Sequence, residues 1–141
     1  MLNISVILIY CRNVKITKFI FPFVDLLAPP LLYHLPIFRN VDCESIAVDW
    51  INQLIYFTSV SNAIEVVDYA GKNRRAIIWT GLGKPRAIDL DPESGLLFYT
   101  DWGDNAHLGR ANMDGTDRRI LINNTSTLQQ IKWPNAMTIG M

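Results

Sequence analysis

The chain has 141 residues, half of them hydrophobic, with thirteen basic and thirteen acidic side chains and a formal net charge of zero. That length fits about one domain, and the absence of a basic excess removes the electrostatic term on which nucleic-acid binding rests. Two cysteines, Cys11 and Cys43, are too few for a disulfide framework and fit no metal-binding spacing. They are able to pair with each other or with a partner chain.

Residues 1–40 differ in character from the remainder of the chain. They carry four basic side chains against one acidic, whereas residues 41–141 carry nine against twelve. Met1 to Tyr10 is apolar, but a secretory signal also needs a basic start and small residues at a cleavage site, and neither is present. Phe19 to Phe38 approaches the roughly 20 apolar residues of a membrane span, but Pro22, Pro29, Pro30 and Pro36 interrupt it and Asp25 lies within it. Each interior proline costs a helix about 3 kcal/mol. The segment reads as an irregular apolar lead-in, with a strand remnant around Leu31-Leu32-Tyr33. A signal, a membrane segment and a misjoined start remain open for it.

From Val41 the chain becomes periodic. Ser45–Asp49 alternates as a short strand. Trp50–Gln53 turns, and Leu54–Thr58 is a second strand rich in aromatic and β-branched residues. Ser59–Asn62 is loop and Ala63–Asp68 a third strand. Tyr69–Asn73 turns with Gly71 free to take positive φ, and Arg74–Trp79 is the fourth strand. Gly81–Pro85 is a connection rich in breakers. The cycle then restarts with Arg86–Asp91, turn Pro92–Gly95, Leu96–Thr100, loop Trp102–Ala106, His107–Asn112, the tight-turn pair Asp114-Gly115 and Asp117–Ile122. Tyr56-Phe57-Thr58-Ser59 and Phe98-Tyr99-Thr100-Asp101 stand 42 residues apart. Ala136–Ile139 opens a third cycle after a polar loop at Asn123–Gln130.

Four antiparallel strands every 42 residues or so make a propeller blade. The expected fold is all-β: two four-stranded blades (41–82 and 83–130) and the first strand of a third (131–141), a fragment of a closed ring of blades.

The tetrads resemble the Tyr-Trp-Thr-Asp repeat of low-density lipoprotein receptor class B, over about residues 41–141. The landmarks are Ile46–Trp50, the tetrads, Ile64-Glu65-Val66, Asp114–Arg119 and Pro85–Ile88 or Trp133-Pro134-Asn135. The resemblance implies a six-bladed propeller. It implies that Tyr56, Phe57, Phe98 and Tyr99 pack between blades, that Thr58 and Thr100 keep the motif, and that Asp101 ties neighbouring blades together. Ser59 stands where the first copy's aspartate would be, and Gly140 where Asp49 and Asp91 end the first strand of the other cycles.

No catalytic constellation is present in the sequence. His34 and His107 lack partners at motif spacing, and Gly81-Leu82-Gly83-Lys84 lacks the spacing of a phosphate loop. Asp101, Asp104 and Asn105 fall short of a calcium ligand set. No cofactor or metal is expected. The arginine pairs Arg74-Arg75 and Arg118-Arg119 read as charges that blunt outer strand edges. The resemblance implies a non-enzymatic, protein-binding module on the extracellular side of a lipoprotein-receptor-related membrane receptor, completed by further blades. The alternative is a secreted matrix propeller of nidogen type. Candidate ligand-contact residues are Trp50, Trp102 and Asp104, since aromatics dominate binding hot spots. Asn123 and Asn124 head overlapping glycosylation sequons, and Asn3 heads another.

Overall fold

The structure, a computed structural model, describes residues 14–20, 33–125 and 131–140. The apolar run Met1–Tyr10, Cys11, the Asn3 sequon and loop residues 126–130 lie outside the described residues. The chain divides into two units, Met1–Asp42 and Cys43–Met141.

Where an irregular lead-in was expected, the two described stretches of the first unit are strands; residues 21–32, with Leu31 and Leu32 of the expected strand remnant, lie outside the described residues. Strands β1 (Val14–Ile20) and β2 (Tyr33–Val41) pair antiparallel. The alternation in Val-Lys-Ile-Thr-Lys-Phe-Ile was the available signal, and the prolines obscured it. Pro36 sits inside β2 opposite Thr17, next to a register shift between Ile16 and Thr17. A proline lacks the N–H that a ladder needs, so strands admit it at edges and irregularities. In a two-stranded sheet both strands are edges.

The second unit holds two four-stranded antiparallel sheets. The first runs β3 (Cys43–Asp49), β4 (Leu54–Ser59), β5 (Ala63–Asp68), β6 (Arg75–Ile78). The second runs β7 (Pro85–Asp91), β8 (Leu96–Asp101), β9 (His107–Asn112), β10 (Arg119–Asn123). Strand order equals chain order in both, so each sheet is an up-and-down meander and β7 begins a new blade beside β3 and β4.

Carboxylates close the turns. Asp49 is fully buried, and its Oδ1 accepts the N–H groups of Ile51 and Asn52 at 3.0 Å each. Asp68 accepts from Ala70 and Lys72, and the Lys72 N–H is the first cause holding its carboxyl below the usual range. Gly71 has the expected positive φ, 74°. The Asp114-Gly115 turn differs from expectation. A primed two-residue turn needs positive φ at both central residues, but here it falls at Gly115 and Asp117, and the connection covers residues 113–118. The Asp114 carboxylate captures the Thr116 N–H and hydroxyl instead, at 2.9 and 2.6 Å.

The core lies between the two blades. Tyr56, Ile64, Val66, Ile77 and Ile78 from the first meet Ile88, Leu90, Leu97, Tyr99 and Ala111 from the second. Side chains alternate across a strand, so the tetrads divide between faces. Tyr56 faces the second blade, while its neighbour Phe57 is buried on the opposite face. Tyr99 faces the first blade, and Phe98, the counterpart of Tyr56, is half-buried on the face turned away. A Cβ on Gly109 would stand 2.3 Å from Tyr99 Cζ, so that ring lies directly over the glycine opposite it in the ladder. A Cβ on Gly115 would stand 2.1 Å from the Ile77 carbonyl oxygen. The β9–β10 connection therefore seats on β6 of the first blade.

Residues 131–140 carry no strand. A first strand is hydrogen-bonded to its own second strand, and none of the described residues supplies one. Instead the Ile139 N–H donates to Asp89 at 2.9 Å and Arg86 Nε donates to Asn135 Oδ1 at 3.3 Å.

Gly109→Ala should destabilise the protein by roughly 1–3 kcal/mol, the usual range for overpacking, because Tyr99 is 1% exposed and has nowhere to move. Gly140 has no atom within 4 Å of such a Cβ, and Gly140→Ala should shift the urea midpoint negligibly. A second test uses Tyr56. Burial, then the Asp49 carboxylate, push its phenol up to about 12. An unfolded phenol titrates near 10. Between these values the unfolded chain releases a proton that the folded one keeps, so stability falls as pH rises from 10 to 12. The loss should be on the order of 2 kcal/mol, and Tyr56→Phe should remove it from alkaline unfolding curves.

Candidate ligand-binding surface

What a propeller can present depends on how firmly its blades are joined. Three sets of contacts join these two. The first is Asp101, which is 1% exposed. Its Oδ2 accepts the Gly83 N–H at 2.6 Å, and its Oδ1 accepts the N–H groups of Lys84 and Gly103 at 2.7 and 2.8 Å. Gly83 and Lys84 belong to the connection that leaves β6 and enters β7. Glycine is required there by close approach: a Cβ on Gly83 or on Gly103 would lie 2.7 Å from the other's Cα. The calcium notion for Asp101 fails on this geometry, because its oxygens are occupied by backbone donors.

The second set uses Thr58 and its neighbours. The Ser45 N–H donates to Thr58 Oγ1 at 2.9 Å, and Thr58 Oγ1 donates across the seam to the Arg86 carbonyl at 2.9 Å. Ile88 N–H reaches Ser45 Oγ at 3.3 Å, and Arg86 pairs with Glu44 at 2.8 Å. Thr100 repeats half of this pattern, accepting the Ala87 N–H at 3.0 Å.

The third set is Arg118, which was expected to be an edge charge. It donates to the Thr80 carbonyl at 2.6 Å and lies 6.0 Å from the Tyr99 ring centre. Arg74 stands likewise 5.3 Å from the Phe57 ring and binds Glu65 through two nitrogens, at 2.6 and 3.1 Å. In each cycle the first arginine of the pair covers the second tetrad aromatic, in reach of a cation–π contact. The recurrence of arginine three residues after the turn glycine was the signal for this.

Ser59 keeps only part of what Asp101 does. Its hydroxyl accepts the Ser61 N–H at 3.2 Å, matching the bond from Gly103 to Asp101, and shares a hydrogen with the Ser61 hydroxyl at 2.7 Å. A hydroxyl offers fewer acceptor sites than a carboxylate and no charge.

Antiparallel order places the sequence-predicted contact residues at opposite ends. Trp50 lies in the β3–β4 turn, at the same end as Pro92–Gly95, whereas Trp102 and Asp104 lie in the β8–β9 loop, at the same end as residues 59–62. They do not form one composite surface. Trp50 is 62% exposed beside a cleft of about 530 Å³ that Asp89, Asp91 and Glu93 also line. At the tetrad end a cleft of about 690 Å³ is lined by Lys84, Trp102, Asp104, Asn124, Lys132 and Trp133, among others. Lys84 Nζ and Arg86 Cζ stand 5.1 and 4.6 Å from the Trp102 ring centre, and Trp133 is 70% exposed. Lys84 is placed there by the same backbone bond that Asp101 accepts. Sequence reading missed Lys84, Lys132 and Trp133 as surface residues, because they sit outside the β8–β9 loop and only the blade seam brings them together. Among the described residues no cluster of histidine, cysteine or carboxylate groups is arranged to hold a metal.

Two adjoining four-stranded up-and-down sheets have the form of propeller blades, and residues 95–139 match the low-density lipoprotein receptor repeat class B. The human low-density lipoprotein receptor-related protein 5-like protein is 33% identical over 101 residues, covering 71% of this chain and 38% of that protein. The vitellogenin receptor Yl of Drosophila melanogaster is 35% identical over 99 residues, 70% of this chain and 5% of the receptor. A chain in the crystal structure of a nidogen/laminin complex superposes with a TM-score of 0.69 at 32% identity, covering 86% of this chain and 43% of that one. The chain thus spans less than half the length of each of these relatives.

Asp101→Ser tests the seam by copying the first tetrad onto the second. It should keep the Gly103 bond and lose those to Gly83 and Lys84. Hydrogen bonds to charged groups contribute about 1.5–3 kcal/mol each, so chemical denaturation should show a loss of at least 3 kcal/mol. Ser59→Ala should cost about 1 kcal/mol or less.

Proposed function

We propose that the chain is a non-catalytic, protein-binding segment of a propeller on the extracellular side of a lipoprotein-receptor-related membrane receptor, and that it binds through its tetrad end. The observation that carries this reading is the cleft of Trp102, Trp133, Lys84 and Lys132, with Asp104 at its rim. Tryptophan is enriched among the hot spots of protein interfaces. A further fact supports it: the relatives include a receptor, the vitellogenin receptor Yl. Among the described residues no helix is long and apolar enough to cross a membrane.

A second reading, a secreted matrix propeller, is favoured by the similarity to the nidogen/laminin structure. Location separates the two. Surface biotinylation of cells expressing the parent protein labels a receptor, whereas a matrix protein accumulates in the medium and binds immobilised laminin.

A photo-crosslinking side chain placed at Asp104 in the parent protein should capture a protein from conditioned medium, and one placed at Glu93 should not. Trp102→Ala should lower that capture at least tenfold, a loss of about 1.4 kcal/mol, with little change in melting temperature. Capture from Glu93 alone would move the binding surface to the opposite end.

A further inference from the structure

Arg86 stands behind the tetrad-end cleft and is not one of the residues that line it. We propose that Arg86 is the positioning residue of that cleft, holding Trp102 on one wall and Trp133 on the other. On the reading of the tetrad end as a binding surface, on which this rests, Arg86 gives that surface its shape.

The two walls have different supports. Trp102 belongs to the β8–β9 loop, which Asp101 and its backbone donors close. Trp133 belongs to residues 131–140, which carry no strand and so have no ladder to fix them. It is largely exposed, so burial does not fix it either. Among the described residues two hydrogen bonds hold that segment, from Ile139 to Asp89 and from Arg86 to Asn135. Ile139 lies by the cleft at the opposite end, with Thr138 and Gly140. The bond that serves the Trp133 end is therefore the one from Arg86.

One guanidinium reaches both walls. Its Nε donates at 3.3 Å to Asn135 Oδ1, two residues beyond Trp133. Its Cζ stands 4.6 Å from the centre of the Trp102 ring, within cation–π reach. Its Nη1 lies 2.8 Å from Glu44 Oε1 on β3, an ion pair that holds the group to the first blade. The side chain extends from a pinned backbone. The Arg86 carbonyl accepts from Thr58 at 2.9 Å, and the next N–H, of Ala87, donates to Thr100 at 3.0 Å. Lys84 also stands by the Trp102 ring, at 5.1 Å, but among the described residues Arg86 alone joins that ring to Asn135. A planar cation with five N–H donors bonds at its edge and stacks on its face at once, whereas a lysine ammonium is a point charge.

Fluorine NMR of the full chain carrying fluorotryptophan tests this. Trp50, Trp79, Trp102 and Trp133 are its four tryptophans, and each resonance is assigned by replacing that residue with phenylalanine. Arg86→Met keeps the apolar stem and removes the guanidinium. It should move the Trp102 and Trp133 resonances by more than a linewidth and leave those of Trp50 and Trp79 in place. Asn135→Ala should move Trp133 and spare Trp102, and Arg86→Lys should not return Trp133 to its wild-type position. In the parent protein Arg86→Met should lower capture from Asp104 roughly tenfold. Trp102 and Trp133 unmoved in Arg86→Met, or a shift shared equally by all four tryptophans, overturns the proposal, and so does capture that Arg86→Met leaves unchanged. Where Arg86→Met fails to fold, Asn135→Ala decides, and an unmoved Trp133 then overturns it. Failure of the binding-surface reading shows separately, as no capture from Asp104 in the wild-type protein while the fluorine spectrum still responds to Arg86→Met.

Discussion

A carboxylate sealed from water and surrounded by three backbone N–H groups determines where the second blade begins. Asp101 lies at the end of β8, yet two of its three donors, Gly83 and Lys84, precede β7. The bond therefore spans the blade and fixes the incoming connection against the outgoing loop. Gly83 and Gly103 allow it, since either with a side chain would hold the two backbones apart. An ionised acceptor is roughly twice as strong as a neutral one in this setting, and burial makes an unmade bond costly. The Trp102 loop and Lys84 take their places from this arrangement, so the tetrad-end cleft depends on it.

The alternation of a strand distributes the rest of the seam. In each cycle the first and third tetrad positions point one way and the second and fourth point the other. Tyr56 and Thr58 reach forward to the second blade, and Tyr99 and Asp101 reach back toward the first blade and its outgoing connection. A four-residue motif thereby serves two interfaces at once. The outer strands add to the same seam through Arg118 on Thr80 and the Gly115 turn on Ile77. The tetrad-end cleft, assembled from a loop, a connection and residues 132–133, has a defined shape only if the blades do not shift.

Much of this was legible in residue order. The recurrence of the tetrad at 42 residues, with Gly71 and Gly115 marking the same turn, placed all eight blade strands within a few residues of their observed ends. Periodicity reports which residues alternate, and alternation is what a meander needs. It does not report which side chains meet across a seam. Arg118 looked like an edge charge because its partner, the Thr80 carbonyl, is a backbone atom 38 residues earlier. The Gly81–Pro85 stretch looked like a loose breaker, whereas two of its N–H groups are among the most specifically held in the unit. Trp50 and Trp102 looked alike as exposed tryptophans after strands, and only strand direction separates their ends. The pairing of β1 with β2 was hidden by prolines that a two-stranded sheet tolerates.

The central claim is that the Asp101 carboxylate makes the connection between blades part of the cooperative core. Native-state hydrogen exchange of the amides of Gly83 and Lys84 measures this most directly, because stability within a fold is resolved residue by residue. The account predicts that both amides exchange as slowly as those of β7 and β8 and open together with them. Exchange of Gly83 and Lys84 at the rates of the exposed turns, with β8 still protected, would contradict it.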